Sequence, residues 1–220
     1  MGIAIHAAAE TYIKGKAKLS DLTKVAATAL RSLDSTRQIK WQGKRDFVEV
    51  RQKLWQQAAH LRTLLERHDI TPGNSQAELS LKWRHPEGLT VAGRIDVLKV
   101  VDGGYRTFDI KGTYNHSFVD VDQFGVYYML QESAGYAPAG GAYLFTSDGT
   151  EQEVPVDRGR NERLLRDLYT AAQMIKDGNL PELPNRMCIY CDFKDQCPGS
   201  LRWERQKFYA SSTKPISWGG

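Results

Sequence analysis

Only three cysteines occur in 220 residues, too few for the dense disulfide framework of a small secreted domain and an odd number that pairing cannot exhaust. No apolar run approaches the roughly 20 residues that a membrane-spanning helix needs, so no span is expected. The amino terminus, MGIAIHAAAE, lacks the basic-then-apolar layout of a secretory signal, and a cytoplasmic chain (bacterial, archaeal or in a phage-infected cell) is the expectation. An excess of one charge is missing too. The 30 Lys+Arg against 26 Asp+Glu leave a net charge of +4, which permits a polyanionic partner without demanding one. With 41% hydrophobic residues, neither disorder nor a collagen-like repeat fits, and no solenoid period or low-complexity tract is present. A chain of this size buries roughly 70% of its unfolded surface and can hold a core without disulfides.

The order of periodicities predicts an α/β fold. Residues 2–14 favour helix until Gly15, Ser20 reads as a cap, and Leu22, Val25, Ala26, Ala29, Leu30 and Leu33 fall at helical spacing. A longer helix from about Gly43 to His68 carries Phe47, Val50, Leu54, Ala58, Leu61, Leu64 and Leu65 as one stripe. The period then changes to two. Ala77–Trp83, Leu89–Val101 and Tyr105–Lys111 read as strands, with His85–Gly88 and Asp102-Gly103-Gly104 as turns. Helical spacing returns over Asp120–Glu132, with Gly135 placed to end it. Gly140–Phe145 and Glu151–Val156 follow as strands, and Asn161–Lys176 as a last helix. Pro181 and Pro184 then interrupt regular structure. We expect one domain over residues 1–180 and a cysteine-containing segment over 181–220, whose basic aromatic tail ends in a frayed terminus.

Two groups of residues carry candidate chemistry. Asp109 and Lys111 share a strand face, and Asp96 on the neighbouring strand comes close across the hairpin. Paired carboxylates hold Mg2+ or Mn2+, and a lysine beside them orients water and offsets charge developing on a phosphate. The same residues also read as an ordinary cross-strand salt bridge. The second group, Cys188, Cys191 and Cys197, forms a C-x2-C-x5-C array better suited to metal or cluster ligation than to pairing.

Gly93-Arg94-Ile95-Asp96, Asp109-Ile110-Lys111 and Gln123-Phe124-Gly125-Val126-Tyr127, in that order, resemble the G-x-(I/V)-D, (D/E)-x-K and Q-x-x-x-Y motifs of RecB-like nucleases in the PD-(D/E)xK superfamily. Gly2–His6 is similar to that family's G-x-x-x-H motif. The resemblance runs from His6 to Cys197 and implies a restriction-endonuclease-like αβββαβ core, with extra amino-terminal helices and a cysteine-stapled carboxy-terminal segment. By that resemblance His6, Asp96, Asp109 and the Ile110 carbonyl ligate a divalent cation, Lys111 positions the attacking water, and Gln123 and Tyr127, one helical turn apart, orient DNA or the lysine. From the residues alone, His6 reads as an ordinary helix histidine, and Gln123 and Tyr127 read as well as a helix boundary as they do as a DNA contact. Glu78 reads as a surface charge, with an acid supporting the metal ligands as the alternative.

The cysteine array is similar to the iron–sulfur subgroup, which includes Cas4-type exonucleases and AddB-type helicase–nuclease subunits, where one upstream cysteine completes a [4Fe-4S] cluster. Such clusters are held by four thiolates. The upstream cysteine is missing here, and the expectation is a truncated chain or a shortened relative. A cluster with a non-cysteine fourth ligand, zinc with three cysteines and a histidine, and free thiols all stay open. Arg158, Arg160, Arg163 and Arg166 on one helix, with Arg202, Trp203, Arg205, Lys207, Phe208 and Tyr209 in the tail, offer phosphate contact and stacking, or are simply a solvated face.

The expected function is a metal-dependent deoxyribonuclease, an exonuclease on single-stranded DNA ends, serving repair, recombination, phage or CRISPR-adaptation processing. Helicase, recombination or adaptation proteins, or a second copy of the chain, are the partners this implies, and no membrane is. The alternative is a catalytically inactive DNA-binding or assembly subunit that keeps the nuclease fold.

Overall fold

Three helices precede any strand. The computed structural model describes residues 1–36, 44–86, 88–114, 116, 119–179, 191–192, 194–197 and 199, without the side chains of 44–47. Helix α1 (Gly2–Ile13) buries Ala4, Ile5, Ala8, Ala9, Tyr12 and Ile13, a helical face whose alanines let neighbouring backbone come close. The chain enters α2 (Leu22–Ser35) through a 3-10 turn at Leu19–Asp21. Ser20 lies inside that turn and caps nothing, because the backbone bond from Asp21 N–H to the Lys18 carbonyl already begins the winding. In α3 (Lys44–Arg67) the expected stripe is real: Leu54, Ala58, Leu61, Leu64 and Leu65 are buried, and each buried leucine contributes about 1.5–3 kcal/mol relative to exposure.

Five strands follow: β1 (Ser75–Arg84), β2 (Thr90–Val101), β3 (Gly104–Lys111), β4 (Pro138–Phe145) and β5 (Thr150–Val154). They form one sheet in the order β1-β2-β3-β4-β5. All neighbours are antiparallel except β3 and β4, and that parallel pair is joined by α4 (Asp122–Ser133), the crossover such a pair requires. Gly135, at φ +83°, ends α4 as expected, with the Tyr136 N–H returning to the Gln131 carbonyl. The last helix, α5, spans Arg158–Lys176 and so starts before the expected Asn161. The αβββαβ order stands, and the mixed five-stranded sheet with its helices is a restriction-endonuclease-like arrangement.

The sheet separates two apolar layers. Val97, Phe108, Ile110, Ala142 and Leu144 pack with α1, α2 and α3; Ile95, Leu98, Tyr143 and Phe145 pack with Phe124, Tyr127 and Tyr128 of α4. On β4 the alternation is the regular one of a strand. On the β1–β2 hairpin it breaks. Ala77 and its partner Val97 pack on the α1/α3 side, whereas Leu79 and its partner Ile95 pack on the α4 side. The hairpin therefore changes layers at Glu78 and Asp96, and Glu78 takes the turn with φ +54°.

The chain divides into two compact units, Met1–Arg166 and Asp167–Gly220; the sheet and α1–α4 all belong to the first. Among the described residues no helix is long and apolar enough to cross a membrane.

Candidate active site

The ladder between β2 and β3 runs from Val101↔Gly104 to Val97↔Phe108. The same register would next pair Asp96 with Asp109. There the strands part instead, and the Ile110 N–H that a ladder would have used donates to Asp96 Oδ2 at 2.8 Å. A buried N–H needs some acceptor, and a carboxylate supplies it where the backbone has left. On its other edge β3 stays paired with β4 as far as Lys111↔Phe145. The opening is therefore local, and the carboxylates of Asp96 and Asp109 flank it.

Helix α1 closes one side. His6 Nε2 donates to the Ile110 carbonyl at 2.9 Å, which turns Nδ1 toward Asp96 Oδ1 at 3.5 Å and Glu78 Oε1 at 3.6 Å. Burial pulls the imidazole pKa down, but the hydrogen bond and charge of Asp96, the Ile110 carbonyl and the charge of Glu78 outweigh it and leave it above the ordinary histidine value. Ligand atoms of His6, Glu78 and Asp96 all lie within 4.8 Å of one another. Glu78 is thus no surface charge. Its side chain is 14% exposed and pairs with Arg94 Nε at 2.6 Å.

Helix α4 closes the other side with a tighter network. Asp109, 1% exposed, accepts at Oδ1 from Gln123 Nε2 (2.8 Å) and from the Tyr127 hydroxyl (3.0 Å). Gln123 Nε2 also donates to the Tyr127 oxygen at 2.6 Å, and Gln123 Oε1 accepts from Lys111 Nζ at 3.2 Å. One amide thus ties the carboxylate, the phenol and the ammonium together. The Tyr143 hydroxyl donates to the Asp120 carbonyl at 2.6 Å and reaches Gln123 Oε1 at 3.3 Å, and its ring lies 5.5 Å from Lys111 Nζ. Burial, then the charge of Asp96, raises the Asp109 carboxyl above the usual aspartate range, against the opposing pull of Lys111 and Tyr127. Burial and the nearby Asp109 carboxylate push the Tyr127 phenol well up, so it stays a donor.

Lys111 Nζ sits 2.7 Å from Asp109 Oδ2, a buried ion pair that holds the ammonium beside the carboxylate. Hard oxygens with one imidazole nitrogen are a donor set for Mg2+ or Mn2+, and the ligand atoms of His6, Glu78 and Asp96, gathered within 4.8 Å of one another, fit such an ion. The His6–carbonyl bond also fits, because a ligating histidine commonly donates its second N–H to a carbonyl that fixes the ring. The Ile110 carbonyl keeps its other lone pair.

The structure brings together His6, Asp96, Asp109, Ile110, Lys111, Gln123 and Tyr127. It adds Glu78, Arg94 and Tyr143. Arg160 lies 3.8 Å from Asp122 of α4, while Arg158, Arg163 and Arg166 are exposed. Cys191 and Cys197 are free thiols in the second unit; Cys188 and the tail residues Arg202, Trp203, Arg205, Lys207, Phe208 and Tyr209 lie outside the described residues.

No curated protein matches the chain. A solved structure titled "Crystal structure of SSO0001" is similar over 84% of this chain and 76% of its own, at 18% identity and a TM-score of 0.41. The family model of the PD-(D/E)XK nuclease superfamily matches residues 1–198, a span that takes in every side chain of the opened β2–β3 edge, and the chain belongs to that superfamily.

Proposed function

We propose that the chain is a divalent-metal-dependent deoxyribonuclease that hydrolyses phosphodiester bonds at single-stranded ends. The observation that carries this reading is Asp109: a buried carboxylate braced by Gln123 and Tyr127, paired with Lys111, and close enough to Asp96 at the opened edge to feel its charge. His6, Asp96, Asp109 and the Ile110 carbonyl hold the cation. When bound, it supplies Lewis-acid stabilisation of the charge that builds on the phosphate. Lys111 orients the attacking water through its ammonium hydrogens, and Gln123 fixes the position of that ammonium. Tyr127 keeps Asp109 in one rotamer, the preorganisation on which such electrostatic stabilisation depends. The exonuclease form is supported by the resemblance of the four motifs to RecB-like nucleases; repair, recombination, phage or adaptation processing, with helicase-type partners, follows from the same resemblance.

The three cysteines supply at most three thiolates, one short of the four that hold an iron–sulfur cluster. They fit a metal staple only with a fourth ligand of another kind, either for a cluster or for zinc. Iron and zinc per chain after anaerobic purification distinguish these two.

The test of the main reading is cleavage of end-labelled single- and double-stranded DNA with Mn2+, Mg2+ or EDTA, by the wild-type chain, Asp109→Ala and Lys111→Ala. Metal-dependent cleavage lost in both variants is expected, and the label released gives the polarity. A folded chain that binds DNA and cleaves nothing overturns it in favour of a non-catalytic binding subunit.

A further inference from the structure

We infer that Glu78 is a ligand of the same cation as His6 and Asp96, held in readiness by Arg94, an inference that rests on the metal-dependent nuclease reading. The backbone gives the first reason. Glu78 lies mid-strand at φ +54°, a conformation that residues with a Cβ avoid and that persists where the surroundings impose it, notably at functional sites. Here the layer change of the β1–β2 hairpin imposes it, and its effect is to bring a third carboxylate to the opened edge.

The register gives the second. The pairs Ala77↔Val97 and Leu79↔Ile95 bracket Glu78 and Asp96, and like charges brought together across strands repel. Both carboxylates nonetheless approach the same ring nitrogen, His6 Nδ1, at 3.6 and 3.5 Å. A divalent cation among these atoms turns the repulsion into chelation.

Arg94 gives the third. Its side chain is 66% exposed and meets Glu78 Oε2 at 2.6 Å, so the guanidinium can leave into water provided another cation takes its place at the 14% exposed Glu78 carboxylate. Arg94 competes with the cation for Glu78. Once displaced, its guanidinium stands at the rim of the site with the planar donor geometry that suits a phosphate.

The deciding measurement is Mn2+ affinity of the protein alone, read from the EPR signal of free Mn2+, beside the melting temperature in EDTA. Glu78→Gln and Glu78→Gly are expected to weaken Mn2+ binding about tenfold or more. Glu78→Gly should melt in EDTA no lower than wild type, because glycine adopts φ +54° without strain; a role confined to folding would lower that temperature instead. Arg94→Gln should tighten Mn2+ binding, because the competitor for Glu78 is gone. Wild-type Mn2+ affinity in Glu78→Gln, with affinity lost in Asp96→Asn, overturns the role of Glu78 and leaves the nuclease reading standing. Weakened Mn2+ binding in Arg94→Gln overturns the competition. A wild-type chain that binds no Mn2+ overturns both readings.

Discussion

The two edges of β3 are built to opposite ends. Along β4 the ladder is paired through Lys111, and the side chains beneath it are packing: Ala142 and Leu144 on one face, Tyr143 and Phe145 on the other. Along β2 it stops at Phe108, and from there backbone groups are met by side chains, Ile110 N–H by Asp96 and the Ile110 carbonyl by His6. One strand thus anchors the fold with one edge and frees chemistry with the other. Substitutions on the closed edge should then change stability and spare cleavage, and those on the open edge the reverse.

The strongest test of that division is Asp109→Asn. Cleavage should fall by about 10³-fold, the scale on which one preorganised charged group acts. Stability in EDTA should not fall with it. The folded-state pKa of Asp109 is raised, first by burial and then by Asp96, so the native state binds a proton more tightly than the unfolded one does. Between the unfolded and folded pKa values stability is therefore lost as pH rises, and above them the full cost remains. The neutral amide removes that cost. A melting temperature at or above wild type, at neutral pH without metal, is the expected outcome; a large drop would make Asp109 a structural residue and dissolve the contrast between the edges.

The closed edge has its counterpart in Gly141. A Cβ there would lie 2.3 Å from Phe124 Cε1 and 2.5 Å from the Thr107 carbonyl oxygen, and the second of these is backbone that cannot step aside. Gly141→Ala should cost about 3 kcal/mol, which in a chain of this length lowers the melting temperature by roughly 6–12 °C. Molecules that stay folded should still cleave. Loss of cleavage at a temperature where circular dichroism shows the native fold would mean that the two edges are mechanically coupled.

A smaller effect grades the open edge itself. Tyr127→Phe removes one donor to Asp109 Oδ1 but leaves Gln123 on the same oxygen. The expected loss in kcat is about tenfold, equivalent to roughly 1.4 kcal/mol, the low end for a hydrogen bond to a charged group that keeps a second donor. A loss as large as that of Asp109→Asn would assign the phenol a direct part in the chemistry.

Much of this division was legible before the structure. Among the described residues the periodicities gave α1–α5 and β1–β5 with boundaries shifted by a few residues, because terminal pairs such as Ser75↔Lys99 and Tyr105↔Pro138 are set by the neighbouring strand rather than by local preference. The approach of Asp96 to Asp109 followed from hairpin geometry. Glu78 did not follow, since in the alternation from Ala77 to Trp83 it falls on the polar face with Ser80 and Lys82. Counting register back from the His85–Gly88 turn would have set it opposite Asp96, but no local pattern announces a left-handed glutamate or a hairpin that changes layers. Tyr143 was hidden for another reason. It sits in an apolar run, and its ring is core while its hydroxyl reaches Gln123.

The smallest expected effect lies at the outer end of the closed side, where Glu151 of β5 accepts from Arg67 Nη1 and His68 Nε2, both at 2.9 Å. Burial raises the Glu151 carboxyl, but the hydrogen bonds and charges of Arg67 and His68 outweigh it and hold it below the ordinary glutamate value. A depressed carboxylate pKa contributes stability that is complete above the unfolded value and is lost as pH falls through the folded one. The pair is partly exposed, 47% for Arg67 and 28% for Glu151, so its contribution is that of a surface bridge, about 0.2–1 kcal/mol. Glu151→Gln should therefore melt roughly 1–4 °C below wild type at neutral pH, with cleavage unchanged, and the gap should close as the pH is lowered past the glutamate range. A gap that persists to acid pH would show that Glu151 ties the end of α3 to β5 by the shape of its contacts rather than by its charge, and that the closed edge owes its stability to packing along its whole length.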